Sequence, residues 1–451
     1  MLTRRGAFSR RELKQYWHFD FHVLQVLLQR GWGVGAGLVT LLLVAARLSS
    51  VEQGYYYTFA SLLALQVFFE LGLNFVVTQI AGHEAARLTI AGDGLMQGDA
   101  DSAARLQSLT VLLKRWYLWA APVFAIALIA GGFIFFRRDQ SLPPRQWAGP
   151  WLMLVIFTAV NLYLSPHLAI MEGIGRVGQV ARLRLYQAVA GSLLLWVGFG
   201  FGLALWAVPS VSGVAALMTW IWLMRHGRLR MPNGLGKTGV ALSWRQDVFP
   251  LQWKIALSWL SGWFISNAFV PMLFAHRGAV EAGRLGLALS MFNAVSALGM
   301  SWVNAAAPQF MRHIALGERA ALNQLFRRVL LSSISFVLMA SLAAVGGVAI
   351  LKYTGFAIVE RVASLPVLAC LMLVTVANGF IFAAAAYMRA HKEEPMLLPS
   401  VVGGVITGSL AWFGSRYGTL PMMAIYAAST FCLGVPWAAL LFLRYLRRRQ
   451  T

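Results

Sequence analysis

The sequence predicts an all-α polytopic membrane protein of about twelve transmembrane helices arranged as two six-helix lobes. Three observations carry this. Of 451 residues, 59% are hydrophobic and only 12% charged, with a mean hydropathy of +0.66, whereas an ordinary soluble domain has about 25% charged residues. Apolar windows long enough to cross a hydrocarbon core of about 30 Å, which takes about 20 helical residues, recur along almost the whole chain. They lack the alternation of barrel strands, so helices are the spanning form.

A basic segment with Arg4, Arg5, Arg10, Arg11 and Lys14 precedes the first window, at about 21–48. That window leads directly into another apolar window without a small-residue cleavage context, so it is expected to stay attached rather than act as a signal peptide. Windows at about 54–81, 110–136, 148–171, 178–200 and 203–224 follow. The longest basic connection, Arg225 to Asp247, comes after the sixth. The remaining windows lie at about 249–275, 284–311, 326–351, 361–388, 396–415 and 420–443. The expected division is an N-terminal lobe (1–230), a connecting loop (231–247) and a C-terminal lobe (248–451). An internal repeat agrees with it: "VEQG" at Val51 to Gly54 follows the first span, "VEAG" at Val280 to Gly283 follows the seventh, and the same offset of 229 residues carries Ser61 onto Ser290. Parallel repeats of this kind place a substrate site between the halves.

An even number of spans puts both termini on one side. With the termini cytoplasmic, the segments on that side hold 27 Lys and Arg against 9 on the other, leaving Arg30 and Lys254 inside helices. The positive-inside rule therefore predicts cytoplasmic termini. Cationic loops facing anionic membrane lipids also account for most of the net charge of +22, with no need of nucleic acid. Cys370 and Cys432 both fall in apolar windows and read as small core residues.

No enzyme site and no cofactor or metal site is expected. Asp99-Ala-Asp101 has the spacing of a metal-bound nucleotide-sugar site, but Asp101 and Arg105 stand at i,i+4, which reads as a solvated helix face. Gly234 to Gly239, "GLGKTG", would need its first phosphate-loop glycine at Met231, so that match fails. The eight histidines show no metal-ligand spacing.

Residues 41–84 resemble the opening of Wzx-type polysaccharide flippases of the multidrug/oligosaccharidyl-lipid/polysaccharide (MOP) exporter superfamily. The likeness lies in the turn Glu52-Gln53-Gly54 and in Glu70-Leu71-Gly72-Leu73 on an aromatic-rich second span; the twelve-span plan extends it over the chain. The resemblance implies two six-helix lobes in an inverted V around a central cavity. It also implies that a polyprenyl-pyrophosphate-linked oligosaccharide of the O-antigen, capsule or exopolysaccharide type moves from the cytoplasmic to the periplasmic leaflet of a bacterial inner membrane. Glycan assembly proteins would then be partners.

Such a substrate needs a polar, preferably cationic path beside hydrocarbon. Arg30 and Lys254 lie early in equivalent helices, and intramembrane charges normally face a bundle interior or a water-filled cavity. Asn74, Gln79, Asn293, Asn304 and Gln309 offer hydrogen bonds to sugar hydroxyls, and Trp32, Tyr117 and Trp263 are candidate stacking platforms. Glu70 has two readings. It and Arg30 each stand twenty positions from Ser50, hence at equal depth in a hairpin; the first reading is an ion pair, the second a protonatable coupling site. Two other functions stay open: a drug or metabolite exporter of the same superfamily, and a membrane enzyme of glycan assembly.

Overall fold

The computed structural model describes residues 21–90, 96–226, 242–250, 252–253, 256–257, 267–391 and 396–448. Its helices are α1 (Phe21–Arg47), α2 (Ser50–Leu63), which continues through the helical turn Val67–Glu70, α3 (Leu73–Ala85), α4 (Ala100–Phe136), α5 (Pro144–Met171), α6 (Val177–Gly200) and α7 (Pro209–His226). Then come α8 (Phe269–Arg277), α9 (Ala279–Ala315), α10 (Arg319–Tyr353), α11 (Leu365–Ala390), α12 (Leu397–Ser415), α13 (Thr419–Ser429) and α14 (Val435–Arg448). Among the described residues, eight helical runs are long and apolar enough to cross a membrane. The extended α2 together with α3 adds a ninth as a pair bent by 44°. One of the eight, Pro144–Gly200, doubles back on itself. Trp147 near its start lies 6.4 Å from Tyr55, and Phe199 near its end lies 6.4 Å from Tyr56. The reversal is made at Gly175, whose φ of 92° suits a residue without Cβ. The fold is thus the all-α polytopic one the sequence predicts. Much of the seventh window, and residues 227–241 of the connecting loop, lie outside the described residues.

A small hairpin departs from the all-helical expectation. β1 (Leu88–Ile90) pairs antiparallel with β2 (Met96–Gly98), Leu88 opposite Gly98. It falls between apolar windows, where no lipid forces the backbone to satisfy itself as helix. Gly98, at φ +130°, sits against the Arg87 carbonyl, where a Cβ would lie only 2.6 Å away. The hairpin delivers Asp99 as N-cap of α4: its carboxylate accepts the Ser102 N–H at 3.0 Å, which holds this exposed group below the ordinary carboxylate range. The cap therefore acts fully above that range and fades only as pH falls through the lowered value. Asp99 of the Asp-Ala-Asp motif is thus a helix start.

Asp101 lies on an exposed face of α4, as expected, but Arg105 does not pair with it. Arg105 turns to Glu84 at the end of α3 (2.8 Å) and to Asp247 (3.4 Å). Glu84 is only 5% exposed, so it draws the guanidinium more strongly than a solvated aspartate does. Asp247 belongs to the end of the connecting loop, which is pinned to α4 by Leu242 N–H to Ser108 Oγ (2.9 Å) and by Trp244 against Trp116 (5.1 Å between ring centroids). Arg105→Ala is expected to lower stability by roughly 1–3 kcal/mol, between the values for exposed and buried pairs. Thermal unfolding in detergent measures it, and Arg105→Leu with Glu84→Leu should recover much of the loss.

The two halves meet where α2 crosses α9. Lipid supplies no hydrophobic force between helices, so close backbone approach over small residues must hold such a crossing. Gly54 lies against the Ala279 backbone and Gly283 against the Gly54 backbone, and Gly286 admits the Tyr57 ring. Gln53, 1% exposed, donates its side-chain amide to the carbonyls of Gly283 and Arg361, both at 2.9 Å. Beside it Tyr55 stacks on Phe136 and Phe274 meets both rings edge-on, with centroids 5.1–5.5 Å apart. Ser49 and Glu52 close a capping box at the start of α2, so the acidic residue of the turn fixes the helix start. At the opposite end the second half has its own apolar cluster, from Val303 to Tyr445, with no residue of the first half among those described.

Candidate functional site at the broken second span

The motif Glu70-Leu71-Gly72-Leu73 is a break in the second span. Leu71 (φ 48°, ψ 35°) and Gly72 (φ 67°, ψ 11°) are both left-handed. The Leu71 N–H still reaches the Val67 carbonyl at 2.9 Å, and α3 restarts with Phe75 N–H on the Gly72 carbonyl at 3.1 Å. Gly72 takes this conformation freely. For Leu71 a left-handed backbone costs roughly 1–2 kcal/mol, which the packing around it must offset.

Polar groups collect on the inner side of the break. Glu70 is half-buried and accepts the side-chain amide of Gln66, one turn earlier. Tyr117 of α4 is fully buried, feels the charge of Glu70, and has no partner for its hydroxyl. Asn74 donates to Ser165 Oγ of α5 at 3.1 Å, while its buried Oδ1 accepts nothing. Thr78 donates to the Asn74 carbonyl at 2.9 Å. His167 of α5, with a buried and unpartnered Nδ1, lies within electrostatic range of Lys114. A buried polar atom left unpaired costs about 1–3 kcal/mol. Three such atoms stand around one helix break, so its hydrogen bonding is incomplete among the described residues.

Of the sequence-predicted residues, this site contains Glu70, Asn74 and Tyr117. Gln79 is exposed on α3, and Asn293, Asn304 and Gln309 are exposed along α9, away from the cluster. Arg30 lies on α1 but its side chain, like all of Lys254 and Trp263, is outside the described residues. Among the described residues no cation pairs with Glu70. Trp32 is engaged in packing α1 on α6: its indole N–H donates to Ser192 Oγ at 3.2 Å and its ring lies 6.2 Å from Trp196. It is no free platform for a sugar. Sequence reasoning missed Gln66, Ser165, His167 and buried Glu84. Gln66 was findable, four residues before Glu70 on a helix; the two α5 residues were not, since they depend on how α5 is rotated.

The chain is similar in structure to an inward-facing multidrug resistance MATE family transporter of the MOP superfamily, with TM-score 0.60, 18% identity, and 93% of this chain and 94% of that one covered. It is similar also to the lipid II flippase MurJ in an inward closed conformation (TM-score 0.65, 12% identity, 93% and 87% covered). A third is the Vibrio cholerae MATE transporter VcmN (0.56, 14%, 95% and 96%). The fold is that of the MOP transporters. No protein-family model and no curated protein matches the sequence. At these identities the likeness speaks for the fold alone, and the chemistry must come from the residues.

Proposed function

We propose that the protein is a flippase for a polyprenyl-pyrophosphate-linked oligosaccharide, moving it from the cytoplasmic to the periplasmic leaflet of a bacterial inner membrane by alternating access. The observation that carries the reading is the asymmetry of the interface. The halves seal at the α2–α9 crossing, on the cation-poor side. On the cation-rich side they keep separate cores, and α4, α9 and α10 present exposed Lys114, Arg115, Arg312, Arg327 and Arg328 there. A rim of that sign raises the local concentration of an anionic pyrophosphate and repels a cationic drug. MurJ, a lipid II flippase by its name, has a similar fold. Arg30 and Lys254 are proposed to meet the pyrophosphate inside the path, with Asn74, Gln79, Asn293, Asn304 and Gln309 available to sugar hydroxyls at successive stages.

A drug or metabolite exporter is the second reading, favoured by one feature: Glu70 beside Tyr117 and Gln66 forms a compact acidic and aromatic site. Proteoliposomes separate the two. Lipid-linked glycan should cross to the far leaflet and an organic cation should not; the reverse result overturns the proposal. In the same assay Arg30→Ala and Lys254→Ala should each lower translocation at matched protein level, because each removes a charge that acts through a low-dielectric path. Undiminished transport by both would remove the cationic path. For the orientation, a reporter active only in the periplasm should work when fused after Gln140 and fail after Lys237.

A further inference from the structure

Residues 242–248, at the end of the connecting loop, are built into the first half although they lead into the second. Leu242 and Val248 are 6% and 0% exposed and belong to the apolar cluster formed mainly by the first half, with Trp244 packed against it. Polar contacts hold the segment at two places on α4. The Leu242 N–H donates to Ser108 Oγ at 2.9 Å, and Asp247 Oδ1 accepts from Arg105 Nη2 at 3.4 Å. Trp244 lies against Trp116. From Arg105 to Trp116 the attachment covers about 16 Å of α4 at 1.5 Å per residue, so it is a seam and not a single touching point. We infer that this segment is an anchored strap: it travels with the first half as access alternates, and Arg105 is the residue that keeps it there. The inference concerns how the halves move and does not depend on the cargo.

Asp247 is shaped for the anchor. Its N–H donates to the Ser243 carbonyl at 2.9 Å and its Oδ2 accepts the Ser243 N–H at 2.7 Å, which closes one turn and leaves Oδ1 for Arg105. The guanidinium reaches Glu84 through a different nitrogen, Nε, at 2.8 Å. A rigid fork of donors can serve two carboxylates at once, and here it joins α3, α4 and the strap. Glu84 is 5% exposed, so its charge holds the guanidinium in the first half. The position of the bridge matters as much as its strength. On the cation-rich side the halves keep separate cores, and parting them pulls on the chain that joins them. That pull reaches the strap at Val248, and Asp247 is the adjacent residue. The connection that can change direction between the halves therefore begins after Val248, not at Arg225 where the basic loop starts.

The test uses the full chain in proteoliposomes, with Cys370→Ser and Cys432→Ser removing the native thiols and Val248→Cys as reporter, read by its rate of maleimide labelling. The reporter should be protected both with the α2–α9 crossing intact and with that crossing forced apart by Gly54→Val. Arg105→Gln and Asp247→Asn should each raise its labelling about tenfold. Val180→Cys, on α6 in the same apolar cluster and 0% exposed, should stay protected in all of them. Should Val248→Cys not fold, Leu242→Cys reports from the other end of the strap. Labelling at Val248 in Gly54→Val with Arg105 and Asp247 unchanged overturns the inference, because the strap then lets go as access changes. Continued protection in Arg105→Gln and Asp247→Asn removes Arg105 as the anchor. A matching rise at Val180 also overturns it, since these changes then loosen the whole first half. All three outcomes leave the flippase reading standing.

Discussion

Gly54→Val is expected to abolish most transport while leaving the protein inserted. A Cβ at Gly54 would overlap the Ala279 backbone, and no side-chain rotation relieves a clash with main chain. The helices must separate, at roughly 1–3 kcal/mol for overpacking. Where the other access state parts α2 from α9 at this point, that energy falls on the sealed state alone. At 1.4 kcal/mol per factor of ten, a 2–3 kcal/mol shift changes the balance of access states by about 30- to 150-fold. The loss of Gln53's two hydrogen bonds to Gly283 and Arg361 would add to it. Solvent accessibility of a cysteine placed at Tyr57, which packs on Gly286, measures the opening directly. Normal transport with Tyr57→Cys still protected would show that the crossing does not have to stay this close.

Gly72→Val should be as severe for a different reason. At φ 67° a β-branched side chain is strained by at least the roughly 1–2 kcal/mol of a left-handed residue. The available relief is to continue the extended α2 into α3 as one helix and lose the 44° bend. Straightening would carry Asn74 away from Ser165, so the inner polar cluster would be lost. Transport should fall at least tenfold at matched abundance. Leu71→Gly is the complementary change. It keeps the bend, relieves the strained backbone, and should retain the inner polar cluster, so translocation survives wherever the leucine side chain itself is dispensable. If Gly72→Val transports normally, the break is not required for function.

Glu70 separates further with Arg30. If the carboxylate only balances Arg30, Glu70→Gln should lower abundance and the added change Arg30→Gln should restore it, because no uncompensated charge then stays buried. If Glu70 couples transport to a proton or cation, the double variant should be abundant and inactive. Protein level and glycan translocation across the four members of the cycle distinguish the outcomes.

The membrane class and the all-helical fold were determined by the sequence alone, because crossing a bilayer depends on summed hydropathy and on internal hydrogen bonding, and neither requires knowing which way a helix faces. The small residues of "VEQG" and "VEAG" were likewise legible as corresponding positions. That Gly54 and Gly283 lie against each other, and that Gln53 bonds across them, came only with the packing. Glu70 stood out as a charge in an apolar window, yet the window read as one continuous helix. Leu71 has no intrinsic preference for a left-handed backbone, and only the surroundings that bury Tyr117 and join Asn74 to Ser165 account for it there. Arg105 followed the same rule in reverse. Its i,i+4 neighbour Asp101 is local and exposed, whereas Glu84 is distant in sequence and buried, and the buried charge has more to gain from a partner. Local pattern therefore decided that the chain crosses the membrane many times and does so as helices, while helix rotation and the break at Leu71 and Gly72 decided which polar groups meet, because both depend on side chains from other spans.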